Sequence, residues 1–335
     1  MDPALIVEWV IKSVILMLIM TGGFAYVTLY ERKVLARMQV RIGPNRAGPG
    51  GILQPIADAV KLIFKEELIP GNADKFIFIL APVITVVPAL VVTAVVPWGT
   101  SITLFGRSIT LDLAAGINVG ILWILSVTSI SVYGITLAGW SSNNKYATLG
   151  GIRATAQMIS YELALGLAYV GPILLAGSMN LRTIVVAQHA VPFIVYQPVG
   201  FFIYLAASLA EINRAPFDMP EAEQELTAGY HTEYSGMKFA LFFMAEYIKM
   251  IAISMIGATL FLGGYSGPLV DQYPLLGPVY LFLKTVLWMF VIIWVRATLP
   301  RIRYDRLMAL GWKIAFPVAL LNVMITAVAI LLVGG

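Results

Sequence analysis

Apolar runs of roughly 20 residues, long enough to cross about 30 Å of hydrocarbon, recur near 7–30, 76–97, 113–140, 154–176, 193–211, 239–264, 276–297 and 309–333. They predict an all-α membrane protein of about eight transmembrane helices, with both termini on one side. The polar positions between the runs are unevenly charged. Connections near 98–112, 177–192 and 265–275 carry only Arg107 and Arg182 as basic residues, whereas the others, with their flanks, hold Arg32, Lys33, Arg37, Arg41, Arg46, Arg296, Arg301, Arg303, Arg306 and most of the lysines. Short basic loops stay on the cytoplasmic or matrix side, so both termini are expected outside. The first run opens on Asp2 and Glu8 rather than a positive segment and lacks a small-residue cleavage site, which reads as a retained helix. One polytopic membrane domain over 1–335 is expected.

The longest connection, 31–75, has its own periodicity. Leu53, Ile56, Val60, Ile63 and Phe64 recur at three- and four-residue steps, and Gln54, Asp58, Lys61 and Lys65 follow out of phase. This predicts an amphipathic helix over about 52–67, too short and too charged to span, lying in the cytoplasmic interface. The preceding Gly43–Gly51 run is turn-rich and lacks the Gly-Lys-Ser/Thr ending of a phosphate loop.

Composition narrows the chemistry. Of 335 residues, 59% are hydrophobic and 12% charged, about half the charge of a soluble domain. The net charge of +4 reports membrane topology rather than nucleic-acid binding. With no cysteine and two histidines, His189 and His231, both in polar connections, the chain is not expected to hold an iron–sulfur cluster, haem or metal of its own. Any electron carriers are expected in partner subunits.

Ionisable residues inside a span cost on the order of 2.5–3.5 kcal/mol to insert and mark candidate sites. Glu162 and Glu246 each lie eight or nine residues beyond a basic flank, Arg153 or Lys238, which is about 12 Å along a helix. They share a depth on different helices. Glu211 closes the fifth span, and Lys249 follows Glu246 on the same helical face. Clustered carboxylates in a poorly solvated interior disfavour one another's charge and can relay protons. The plainer alternatives are that Glu246 pairs with Lys249 and that Glu162 bonds a neighbouring helix. Lys284 is deep in the seventh span, and either snorkelling outward or neutralising an interior acid fits it. The connection 212–238 is densely acidic, with Asp218, Glu221, Glu223, Glu225 and Glu233. Asp218 and Glu221 also have the spacing of a helix cap. The Arg301, Arg303 and Arg306 trio reads either as a topology anchor or as a docking point for a partner.

Several segments are more specific. Glu31-Arg32-Lys33, Gln39 to Asn45 and Leu53 to Asp58 in the first connection, Gln157 to Glu162, Ala210 to Asp218 with Glu221 to Leu226, Glu233 to Gly236 and Arg296 to Asp305 occur in order over nearly the whole chain. Together they resemble the family of the H-type membrane subunits of respiratory complex I, the NADH-quinone oxidoreductases, which are homologous to mitochondrial NADH dehydrogenase subunit one. The resemblance implies a subunit with no redox centre, flavin or metal. It forms the floor and entrance of a chamber for ubiquinone or menaquinone, beneath peripheral subunits that carry the terminal iron–sulfur cluster. By that likeness Arg32, Arg41, Asp58, Arg214 and Phe217 line the chamber. Glu162, Glu211, Glu221, Glu223, Glu225 and Glu246, with Lys249, form an acidic path toward the other membrane-arm pump subunits, and Glu31 joins the two. The expected location is a bacterial plasma membrane, with an organellar inner membrane as the other setting. The membrane anchor of a quinone-independent energy-converting hydrogenase and a free-standing secondary transporter are the alternative functions; the full run from Gln39 to Asp58 favours quinone.

Overall fold

The structure is a computed structural model that describes residues 3–104, 107–114, 116–218 and 228–333. Its helices are α1 (Pro3–Met38), α2 (Gln54–Phe64), α3 (Lys75–Val92), α4 (Gly120–Ser141), α5 (Lys145–Ala176), α6 (Leu181–Ala187), α7 (Phe193–Tyr196), α8 (Pro198–Glu211), α9 (Gly236–Phe261), α10 (Leu276–Thr298), α11 (Tyr304–Leu310) and α12 (Phe316–Val333). A π-helical stretch, Gly311–Ala315, continues α11 into α12. Among the described residues seven helices, with α11 and α12 taken as one, are long and apolar enough to span a membrane; α8 is a shorter apolar helix. The protein is an all-α membrane protein.

Four boundaries differ from the sequence expectation. α1 runs eight residues past its apolar stretch to Met38. Residues 31–38 are good helix formers, and the first glycine comes only at Gly43. Glu31, Arg32, Lys33 and Arg37 therefore stand on a helix rather than in a loop. The amphipathic helix stops at Phe64 because Lys65 turns to extended backbone. The fifth span is split, since Gln197, held away from helical geometry before Pro198, ends α7 and starts α8. The third begins at Gly120, and an unexpected antiparallel hairpin, β1 (Ser101–Leu104) with β2 (Arg107–Thr110), stands in the connection before it. Two ion pairs, Arg182 with Asp112 and Lys12 with Glu8, lie beside it.

α9 is the centre of the bundle. Its apolar window is 67% buried, against 11% for α1 and for the closing helix, as expected for a helix that is apolar all round and enclosed by others. On one side α3, α4 and α5 approach through glycines. A methyl group on Gly134 would overlap the Thr85 hydroxyl and sit 2.9 Å from the Ala81 carbonyl, and one on Gly139 would sit 2.7 Å from the Ala147 carbonyl of α5. Close backbone contact through small residues is how helices associate where lipid supplies no hydrophobic drive. Buried tyrosines keep their hydroxyls satisfied: Tyr204 donates to the Ile253 carbonyl at 2.6 Å and Tyr161 to that of Leu307 at 2.9 Å.

Candidate functional site

The charged residues gather at the end of the bundle where α1, α8 and α10 finish and α9 begins. Arg214, three residues past α8, is the hub and is 3% exposed. Its Nη1 donates to Glu31 Oε1 at 2.7 Å, its Nε pairs with Glu246 Oε1, and its guanidinium carbon lies 4.5 Å from the centre of the Tyr247 ring. Arg296, from the last turn of α10, pairs with the same Glu31 oxygen. Two guanidinium groups thus face two carboxylates from four different segments, and the cluster is neutral as a whole. Burial disfavours the Arg214 cation, but Glu246 and Glu31 hold it protonated well above the ordinary arginine range. Glu246 pairs with Arg214, whose planar fork reaches two acids at once, and it also acts electrostatically on Lys249, the partner that helix spacing suggested.

Next to this cluster lies a less compensated set. Glu211 is 2% exposed, and its Oε2 has no hydrogen-bond partner among the described residues. Glu211 and Lys249 both line two adjoining small cavities. One, of about 20 Å³, also touches Glu246, Asn213 and His231; the other, of about 10 Å³, reaches Tyr169 and Ser131. The first is large enough for about one water, placed between the Arg214 cluster and Glu211. Glu162 takes a hydrogen bond from Ser129 of α4, which is the neighbouring-helix contact that the sequence allowed. It also acts electrostatically on both Glu211 and Lys249.

The connection after α8 is pinned from α5. Gln157 Nε2 donates to the carbonyls of Ala210 and Phe217, at 2.9 and 2.6 Å, and to Asn213 Oδ1 at 3.2 Å. The Ile302 amide donates to the Pro216 carbonyl. Phe217 is buried, its ring centre 5.3 Å from that of Tyr161. Gln157 stands inside one of the resembling segments, but an uncharged residue in an apolar run gives no sign of its role in sequence. His231, expected in a polar connection, is 5% exposed and surrounded by Tyr230, Phe239, Phe242 and Phe243. Burial pushes its pKa down to about 3.

Residue 32 faces a different way from residue 31. Arg32 Nη1 donates to Asp58 Oδ2 at 2.8 Å, and Gln54 holds the other Asp58 oxygen at 3.0 Å, which ties α2 to the end of α1. Lys33 donates to the Gly50 carbonyl. Arg41 is exposed and bonds Gln39 at 2.7 Å, next to a nearly fully exposed Val40. Of the five residues expected at a chamber, the structure joins Arg32 to Asp58. It leaves Arg41 apart at the tip and sets Arg214 and Phe217 in the interior, with the acids. Glu221, Glu223 and Glu225, and the cap expected from Asp218 to Glu221, lie outside the described residues. Lys284 turns away from the acids: its Nζ donates to the carbonyls of Gly264 and Ser266, at 2.8 and 2.7 Å, in the connection after α9.

A family model described as NADH dehydrogenase matches residues 11–327. The chain is similar to NADH-quinone oxidoreductase H subunit 2 of Syntrophobacter fumaroxidans, 52% identical over 96% of each chain, and to H subunit 2 of Geobacter sulfurreducens, 53% identical over 90% of each. It is 50% identical to the NADH-quinone oxidoreductase H subunit of Thermomicrobium roseum, over 96% of this chain and 95% of that one. With the match spanning nearly its whole length, the chain belongs to the NADH dehydrogenase family, among the H subunits of NADH-quinone oxidoreductases.

Proposed function

We propose that the protein is the membrane subunit of a proton-pumping NADH:quinone oxidoreductase in a bacterial plasma membrane, with its termini outside and its charged end in the cytoplasm. There it binds the quinone together with peripheral subunits that deliver electrons from the terminal iron–sulfur cluster, and it passes the electrostatic effect of quinone reduction to the other membrane-arm subunits. Quinone supplies the redox chemistry; this chain binds, orients and transmits charge. The amphipathic α2, lying in the interface, and the end of α1 form the approach. Arg32, Asp58 and Arg41 offer charged hydrogen-bonding groups to the head of a lipid-soluble quinone.

The observation that carries this reading is the adjacency of Glu31 and Arg32. One turn of α1 holds the α2 approach on one face and the Arg214 cluster on the other. A negative charge developing near Arg32 and Asp58 acts on Glu31 and Arg214, and through Glu246 on the cavity that contains Glu211 and Lys249. A proton then redistributes among Glu162, Glu211 and Glu246, continuing through Glu221, Glu223 and Glu225. Burial makes a carboxylate such as Glu211 sensitive to its neighbours' charge.

Glu211→Gln and Glu246→Gln in the assembled enzyme test the relay. Quinone reduction and proton pumping are both expected to fall at least tenfold in one or both variants, while the complex still assembles. Wild-type rates of both activities would sink the assignment.

A further inference from the structure

At the opposite end of the bundle α1 forms one wall of a groove of about 670 Å³, whose other walls are Trp98, the end of β2 with Leu111 and Leu113, and Pro278 at the start of α10. The α1 wall is one stripe: Val7, Glu8, Ile11, Lys12, Ile15, Leu16 and Ile19, at helical spacing. Twelve residues of rise make it about 18 Å long, slightly more than half of the roughly 30 Å hydrocarbon core, which is the reach of one leaflet's acyl chains. The deep part, from Ile11 to Ile19, is carbon-lined except at Lys12. The polar groups lie at the shallow end.

Those groups are paired. Lys12 Nζ contacts Glu8 Oε1 at 2.5 Å and donates to Thr110 Oγ1 at 3.0 Å and to the Asp112 carbonyl at 3.5 Å. Glu8 takes no other ion partner among the described residues and keeps a free carboxylate oxygen. The Asp112 carboxylate is committed to Arg182. Among the described residues the mouth of the groove therefore carries one cation and one anion side by side. Such a mouth is complementary to a zwitterionic headgroup whose ammonium lies against Glu8 and whose phosphate lies toward Lys12. An anionic headgroup would leave Glu8 as an uncompensated repulsion.

We propose that this groove is a specific binding site for an amine-headed zwitterionic phospholipid of the outer leaflet, with one acyl chain lying along α1 from Ile11 to Ile19. The site is distinct from the quinone-facing end, and its ligand is bound lipid rather than bulk bilayer. Neither the arrangement of the groove nor the choice of lipid depends on the relay proposed above.

The test uses the assembled complex, purified in detergent and washed extensively, with phosphatidylethanolamine and phosphatidylglycerol quantified by native mass spectrometry. Wild type is expected to keep phosphatidylethanolamine through the wash. Ile15→Trp fills the groove from a position 50% exposed, so folding tolerates it, and the retained lipid is expected to fall several-fold. Glu8→Gln removes the anion and is expected to reverse the preference, with phosphatidylglycerol kept in place of phosphatidylethanolamine. Equal retention in wild type and Ile15→Trp, an unchanged preference in Glu8→Gln, or recovery of phosphatidylglycerol or quinone from the wild-type groove would overturn the proposal.

Discussion

Arg214 shows how much a single side chain can be asked to do. Removing it, as in Arg214→Met, leaves Glu246 without its guanidinium and Glu31 with Arg296 as its one remaining cation. Breaking a buried pair from one side costs about 3–5 kcal/mol, so the variant is expected to lower the melting temperature and yield of the purified complex sharply. Arg214→Lys is expected to recover only part of the loss, because a point charge on a flexible stem cannot serve acids on two helices through Nε and Nη1 at once. His231 makes a pH-dependent prediction. Its folded pKa of about 3 lies below the unfolded value near 6.5, so between those limits the unfolded chain binds a proton that the folded chain does not. Its contribution is intact above pH 6.5 and is lost as pH falls, by up to about 1.4 kcal/mol per pH unit. Thermal melts from pH 7 to 5 are expected to show His231→Phe losing less stability than wild type; parallel curves would contradict this. The sequence revealed which acids were unusual, because charge inside an apolar run is visible as a pattern. It did not reveal their partners. Arg214 and Arg296 look like loop and flank residues, and Gln157 like one polar residue in an apolar run, until the fold brings them against Glu31, Glu246 and the Phe217 carbonyl.

At the scale of elements, tight helix pairs and pinned connections set the geometry. Gly134→Ala would place a methyl group against backbone and a threonine hydroxyl of α3 at impossible distances. It is expected to prevent normal packing of α3 on α4, and to be read as a loss of folded protein in membranes, whereas Gly177→Ala, whose added carbon meets nothing within 4 Å, pays only the backbone strain of its positive φ. Gln157→Leu keeps the volume of the side chain but orphans two buried carbonyls, at about 1–3 kcal/mol each. Hydrogen exchange of the amides of residues 212–217 is expected to speed up, with α5 itself unaffected. Span existence and order were legible because length and hydropathy alone demand them. Span ends were not. Apolar count stops at residue 30, whereas α1 continues to Met38 on helix propensity and on the Arg32 and Lys33 contacts with α2 and its approach. The hairpin at 101–110 carried no signal because four-residue strands of mixed residues are indistinguishable from loop.

For the molecule as a whole, most of the buried charge lies toward one end of the bundle. Glu31, Glu211 and Arg214 are buried at one end, with Glu246 and Arg296 partly buried beside them, and Arg303 and Asp305 pair in the open at the same end, with Arg301 and Arg306 exposed nearby. If that basic surface receives a peripheral subunit, charge reversal of Arg301, Arg303 and Arg306 together is expected to reduce recovery of the assembled complex in a salt-dependent way, without changing the amount of membrane-inserted chain. Unchanged recovery at low salt would leave the trio as topology anchors. Family membership was legible in sequence because the resembling segments are the ones that build the charged end. The division of labour within them was not, since consecutive residues such as Glu31 and Arg32 face opposite neighbours.

The shared guanidinium has a bearing on how such proteins diverge. Arg214 answers to carboxylates on α1 and α9 while α10 supplies a second cation to one of them, so any single replacement that removes or reverses a charge at these four positions unbalances a largely enclosed site. A change that alters charge must arrive at two or more of them together, because each one-step intermediate carries an unbalanced charge. Positions 31, 214, 246 and 296 are therefore inherited as a unit, and across related chains they are expected to be either all retained or replaced in concert, while Arg41 and the exposed tip around Val40 drift freely.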